Sequence, residues 1–268
     1  MFTTELELTP GKSIQDLESV TTLLGVVTGT HCAGKTTLLR DYAEASRLFD
    51  VPEGLYEPSF LVAAEKIGAR IVPVVIAPEA ATAYAPFVDR PVLTSGYTLE
   101  DQIGIELRAL TNINTAASIA AELAKRLHRE RPLAVVLSDR SELDGHVYSR
   151  LRAPQAEQEV IDLRAVAKAT GTLLTAPTQT PILLRAIQRA TMAKSCDAAF
   201  VVDETEVAFE DNGLREEDLA FRSAVADRLR SYYKEVLSPS RVHAIQGNRA
   251  QRTSMLRQHI RHLLIRKL

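Results

Sequence analysis

Gly29–Thr37 reads GTHCAGKTT: a glycine, four residues, then Gly-Lys-Thr. That spacing, G-x-x-x-x-G-K-[ST], belongs to a loop whose backbone N–H groups cradle phosphates. The motif needs a strand before it and a helix after it, and both are present. Thr21–Thr28 (TTLLGVVT) is a β-branched apolar run, the pattern of a buried parallel strand. KTTLLRDYAEASRLF then continues as a helix, with Leu38, Leu39, Tyr42 and Ala45 near helical spacing. Gly29 and Gly34 let the backbone turn without Cβ clashes, so amides converge on phosphate oxygens. Thr30, His31, Cys32 and Ala33 fill the loop and contribute mainly backbone, and Thr37 completes the nucleotide-holding stretch. The helix that follows adds its positive N-terminal end. Lys35 reaches the β- and γ-phosphates, and the Thr36 hydroxyl is placed to ligate Mg²⁺. The expected cofactors are therefore ATP and Mg²⁺.

Working outward, further strands fall at Ile71–Ile76, Leu133–Leu137, in DAAFVVDE and in RVHAIQG, separated by helical patterns. Pro73 is unexpected in a central strand and implies a bulge or pairing on one side only. A long helix follows an N-cap at Thr98, with Ile103, Leu107, Leu110, Ile113, Ala117, Ala120, Leu123 and Leu127 at steps of three and four. This order predicts an α/β fold: one doubly wound, five-stranded parallel sheet carrying the P-loop. Residues 1–20 read as a leader and 21–268 as one domain, with a helical insert at 155–195.

A P-loop enzyme needs a carboxylate across the site to hold the metal or its water. Doubly wound sheets bind ligands at the carboxyl ends of their strands. Asp139, just past LAVVLS, meets that condition, and Arg140 beside it offers a planar fork to phosphate oxygens. Glu79 ends the second strand and is a candidate base for an acceptor hydroxyl; a first-turn helix acid is the competing reading.

The set GTHCAGKTTLL, PEAAT, SDRSELDGHVY and FEDNGLREED…YYKEV resembles the NadR-like P-loop ATPase/kinase family, near the deoxynucleoside and thymidylate kinases. The resemblance implies that Glu79 is the base and that Asp139 and Arg140 flank the transferred phosphate. It makes residues 208–219 a lid, with Arg215 closing over the phosphates. It places Gln102 where such kinases read a base, and Arg249 of GNRAQR beside the adenine. Tyr148, Tyr232 and Tyr233 are candidates for a substrate pocket or for core packing.

The 268 residues are 46% hydrophobic and 25% charged, with a formal net charge of −2. These are ordinary values for a globular chain and provide no steering field toward nucleic acid or lipid. The acid-free stretch Arg241–Leu268 reads as a solvated helix face with Leu256, Ile260, Leu263 and Leu264 buried behind it. Cys32 and Cys196 read as thiols, and the expected compartment is the cytoplasm. The leading expectation is a kinase acting on a small nucleoside-, nucleotide- or metabolite-like acceptor, compatible with a homodimer. Two alternatives stand beside it: a stand-alone ATPase or nucleotide switch acting on a protein partner, and a polynucleotide end kinase. No N-K-x-D is present, which disfavours a guanine-reading GTPase.

Overall fold

The computed structural model describes residues 20–30, 33–46, 59–84, 99–128, 130–152, 180–203 and 219–268. Among them lie six strands: β1 (Thr21–Thr28), β2 (Leu61–Ile67), β3 (Arg70–Ala77), β4 (Leu133–Asp139), β5 (Cys196–Val202) and β6 (Val242–Ile245). The helices are α1 (Lys35–Ala45), α2 (Ala80–Tyr84), α3 (Leu99–Leu127), α4 (Glu142–Arg152), α5 (Thr180–Ser195), α6 (Leu219–Leu237) and α7 (Arg249–Ile265). The sheet order is β2-β3-β4-β1-β5-β6. β3, β4, β1, β5 and β6 are parallel, as expected for an α/β doubly wound sheet.

The sheet has six strands where five were expected, because β2 adds an antiparallel edge to β3. Ile67 pairs with Arg70, so Gly68 and Ala69 form a two-residue hairpin, and Gly68 takes the positive φ of 60° that such a turn requires. Pro73 sits opposite Ala64 of β2, and the ladder with β4 begins only at Val74. Its missing N–H is therefore tolerated by one-sided pairing.

Alternation along the strands sends side chains to two apolar layers. Leu24, Val26, Ala134 and Val136 pack beneath α3, α4 and α6. Leu23, Val27, Leu133, Val135 and Leu137 pack beneath α1 and α7. α7 buries Leu256, Ile260 and Leu264, as its pattern predicts, while Leu263 is partly buried. In α1 the buried apolar residues are Leu38, Leu39, Tyr42 and Ala43, with Ala45 exposed.

α3 departs from its expected face. Ile113 and Ala120 are buried, but Leu107 is 45% exposed and Leu127 38%. The buried side of its first turns carries Asp101, Gln102, Glu106 and Asn112 instead. The helix is oriented by a polar interior at the sheet's carboxyl edge, which apolar periodicity does not register. Thr98 lies outside the described residues.

Candidate functional site

β1 is the central strand, with β4 on one side and β5 on the other. The chain leaves β1 toward β2 and leaves β4 toward β5, on opposite sides of the β4–β1 pair, so a crevice opens at the carboxyl ends of these strands. The Gly29–Thr37 loop leaves β1 at that edge. Gly29 has φ 147°, and a Cβ there would stand 2.8 Å from the Val202 carbonyl oxygen, so the close approach to β5 requires glycine. Gly34 caps α1 in the left-handed conformation, φ 78°. Thr30 and Ala33 are buried, while Thr36 and Thr37 are exposed at the start of α1. His31 and Cys32 lie outside the described residues; Cys196 is a buried free thiol, its pKa pushed up to about 12 chiefly by burial.

Five expected residues come together here. Thr36 Oγ1 donates to Asp139 Oδ2 at 2.5 Å, joining the first turn of α1 to the end of β4. The Lys35 ammonium is buried and donates to the Thr30 carbonyl of its own loop. Arg140 Nε donates to Glu79 Oε1 at 2.9 Å, which brings Glu79 from the end of β3 to the neighbouring strand end. Thr82 Oγ1 holds the other Glu79 oxygen at 2.8 Å, and Asn112 of α3 donates to the preceding Pro78 carbonyl at 3.1 Å. Glu79 is thus held by Arg140 and Thr82, beside a carbonyl fixed by Asn112, and is close enough to act on the charges of Lys35 and Asp139.

Arg140 itself has φ 73°, a conformation that non-glycine residues avoid and that recurs at functional sites. Its amide donates to Val27 O at 2.9 Å, and Ser138 Oγ donates to its carbonyl at 2.5 Å, which fixes this sharp exit from β4. Nη1 of its guanidinium reaches Tyr148 OH at 3.1 Å and Asp144 Oδ2 at 3.5 Å, and the Tyr148 ring lies beneath it at 5.3 Å. Asp144 also accepts from Thr28 Oγ1 at 2.9 Å and from Tyr233 OH at 2.6 Å.

The sequence reading did not single out Asp144. Its signal was the step of four between Asp144 and Tyr148, which places both on one face of α4, just after Arg140.

Electrostatics follow from packing these charges out of water. Burial lowers the Lys35 ammonium to about 7, with Arg140 adding to the effect, while Asp139, Glu79 and Asp144 pull it partly back. Burial raises Asp139 to about 6, helped by Glu79 and opposed by Lys35, Thr36 and Arg140. Asp139 Oδ1 is buried without a hydrogen-bond partner. A hydroxyl and a carboxylate with a spare oxygen form the protein donor set that Mg²⁺ takes when phosphates and waters supply the rest. The residues present therefore fit that ion. No cluster of three or more His, Cys, Asp or Glu among the described residues offers an all-protein metal cage.

Gln102 lies behind α4, where its Nε2 donates to Glu106 Oε1 at 2.8 Å and its Oε1 has no partner. The approach is tight: a Cβ on Gly145 would stand 2.0 Å from Gln102 Nε2. His146 joins this polar layer through Tyr232 OH and Gln188 Oε1, both at 2.9 Å. Glu142, buried in the same region, has neither carboxylate oxygen bonded to another residue.

Arg249 is held away on the surface by Asp41 of α1, through two bonds of 2.5 Å. Three residues on, Arg252 was missed. It is 4% exposed and donates to the Ala33 carbonyl of the loop at 3.0 Å. The step of four in Arg252, Leu256, Ile260 and Leu264 put it on the buried face. Arg215, the 208–218 part of the lid and residues 155–179 of the insert lie outside the described residues; residues 180–195 are α5.

No protein-family model matches the chain, and no curated protein matches it in sequence. Among solved structures it is similar to a NadR protein crystallised with NAD and AMP-PNP, at 15% identity and a TM-score of 0.48, over 90% of this chain and 49% of that one. It is similar also to a NadR protein crystallised with NR, at 15% identity and a TM-score of 0.45, over 90% of this chain and 50% of that one. The chain spans about half the length of these structures. Among the described residues no helix is long and apolar enough to cross a membrane.

Proposed function

We propose that the protein is a Mg²⁺-dependent phosphotransferase that moves the γ-phosphate of ATP to the hydroxyl of a small nucleoside-, nucleotide- or metabolite-like acceptor. The observation that carries this reading is the meeting of two pairs at one sheet edge: Thr36 with Asp139, and Glu79 with Arg140. A nucleotide switch needs the first pair; a second carboxylate, braced one strand away, suits an enzyme that must take a proton from an acceptor.

Mg²⁺·ATP would supply the transferable phosphoryl group with much of its charge already neutralised. The loop amides and Lys35 would hold the phosphates, and Thr36 and Asp139 the ion. Glu79 would accept the proton of the acceptor hydroxyl as its oxygen attacks. Arg140 holds one Glu79 oxygen and Thr82 the other, which fixes the plane of the carboxylate. Arg140 would orient that carboxylate, and with Arg215 balance the negative charge near the group in transfer. Gln102 of α3 and Tyr148 of α4 would lie on the acceptor side.

The test uses purified protein, Mg²⁺ and γ-labelled ATP with a panel of nucleosides, nucleotides, sugars and DNA ends. Label should appear on one acceptor class and be lost in Lys35→Ala and Glu79→Gln. Label released only as free phosphate, whatever the acceptor, would overturn the kinase reading in favour of an ATPase that acts on a protein partner.

A further inference from the structure

Two arginines grip opposite ends of β5 in the same manner. At its amino end, Arg241 donates to the carbonyls of Leu237 (2.5 Å), Cys196 (2.8 Å) and Ala193 (2.9 Å). At its carboxyl end, Arg252 donates through Nε to Gly247 O (2.6 Å), through Nη1 to Ala33 O (3.0 Å) and through Nη2 to Asp203 O (2.6 Å). Each gathers three backbone carbonyls around one planar fork. Burying a guanidinium against neutral carbonyls, without a carboxylate, is costly. The two clamps differ in one partner: only Arg252 holds the phosphate loop.

That partner matters because a trans peptide is planar, and its C=O and N–H point in opposite directions. The Ala33 carbonyl and the Gly34 amide belong to one such unit. With the carbonyl held toward α7, the Gly34 N–H is turned away from α7. A cation on the carbonyl also polarises the whole peptide and makes its N–H a stronger donor. Gly34, left-handed at φ 78°, is a hinge that could otherwise rotate this peptide.

We infer that Arg252 is a positioning residue of the phosphate loop: it fixes the Ala33–Gly34 peptide so that the Gly34 amide faces the phosphates, and it ties the loop to the ends of β5 and β6. The inference rests on the reading of Gly29–Thr37 as a phosphate cradle. Lysine at 252 keeps the charge but not the three-way fork.

The experiment compares Arg252→Lys with Arg241→Lys, using Mg²⁺·ATP titration by calorimetry and a thermal melt of each protein. Arg252→Lys should weaken Mg²⁺·ATP binding by roughly tenfold or more, the size expected for a lost charge-assisted hydrogen bond. Arg241→Lys should leave affinity unchanged, even where its melting temperature falls. Equal loss of affinity in both variants, or none in either, would overturn the proposal. So would unchanged affinity in Arg252→Lys with a lower melting temperature, which is the signature of a merely structural clamp. Wild-type protein that binds no Mg²⁺·ATP would overturn the phosphate-site reading together with it, a result distinct from the others. Should Arg252→Lys fail to fold, NMR of the wild-type protein decides. The Gly34 amide and the Arg252 Nε–H should shift on Mg²⁺·ATP binding while the Arg241 Nε–H does not; an unmoved Gly34 amide would count against the proposal.

Discussion

Two clusters of buried charge sit at different places on this sheet, and they are built differently. On the edge strand β2, Glu65 is fully buried, yet each oxygen is occupied. Arg257 and Arg261 of α7 donate to Oε1 and Oε2 at 2.9 and 2.8 Å, and Ser46 Oγ donates to Oε1 at 3.1 Å. At the crevice, Lys35, Glu79, Asp139, Arg140 and Asp144 are crowded together, and Asp139 Oδ1 is left without a partner. The first cluster ties α7 and the end of α1 to the edge strand. In the second, burial lowers Lys35 and raises Asp139 and Asp144, a pattern common where a site is prepared for other groups. Both clusters are buried; what differs between them is that both Glu65 oxygens are occupied while one Asp139 oxygen is not.

The largest expected effect tests the second cluster. Lys35→Ala should lower phosphotransfer on the order of 10³-fold, by removing charge stabilisation from the transferred group. Its melting temperature at pH 7–8 should not fall, because a buried ammonium lowered to about 7 opposes folding there. A large loss of stability with activity retained would reverse the two clusters' roles. The double variant Arg257→Ala/Arg261→Ala should do the opposite. Leaving Glu65 buried and unpaired should cost about 3 kcal/mol in denaturant unfolding, with turnover per folded molecule unchanged.

Smaller effects sharpen the contrast through pH. Burial raises Glu142 to about 7, its own amide offsets part of this, and Glu106 and Asp144 add to the rise. A raised carboxyl favours the folded state while protonated. Its contribution is complete below the usual 4.5 and is lost as pH rises through 7. Glu142→Gln should therefore raise the melting temperature at pH 8 by a few degrees, and by less at pH 5. The smallest effect is expected at His243 and His259, stacked at 4.4 Å between β6 and α7. Burial lowers both, with His262 acting on each and His259 on His243 as well, so stability should fall as pH drops below 6.5. His259→Gln should flatten that part of a melting curve recorded from pH 7 to 5.

What could be read from the sequence follows how local each signal was. Strand, loop and helix at Gly29–Thr37 were legible because the motif and its flanks are contiguous. Asp139 and Glu79 were legible because each ends an apolar strand. β2 was missed although Gly68-Ala69 marks a two-residue hairpin, because LVAAEKI lacks the aromatic and strongly alternating pattern that announces a strand. The face of α3 was misjudged because its buried side is partly polar: Gln102 and Glu106 point inward where Leu107 points out. Asp144 and Arg252 were passed over because the contacts that tie them to β1 and its loop, at Thr28 and Ala33, are more than a hundred residues away in sequence. Only their step of four with neighbouring buried residues betrayed them.

The most direct test of the account is proton linkage to Mg²⁺·ATP binding at pH 8, measured by calorimetry in two buffers of different ionisation enthalpy. With Lys35 at about 7, most of its side chains are neutral at that pH, and Asp139 at about 6 is already ionised. Arriving phosphates should therefore draw a proton onto Lys35. The account predicts net proton uptake by the wild-type protein and none by Lys35→Met. Binding with the same proton exchange in both proteins, or no binding at all, would contradict it.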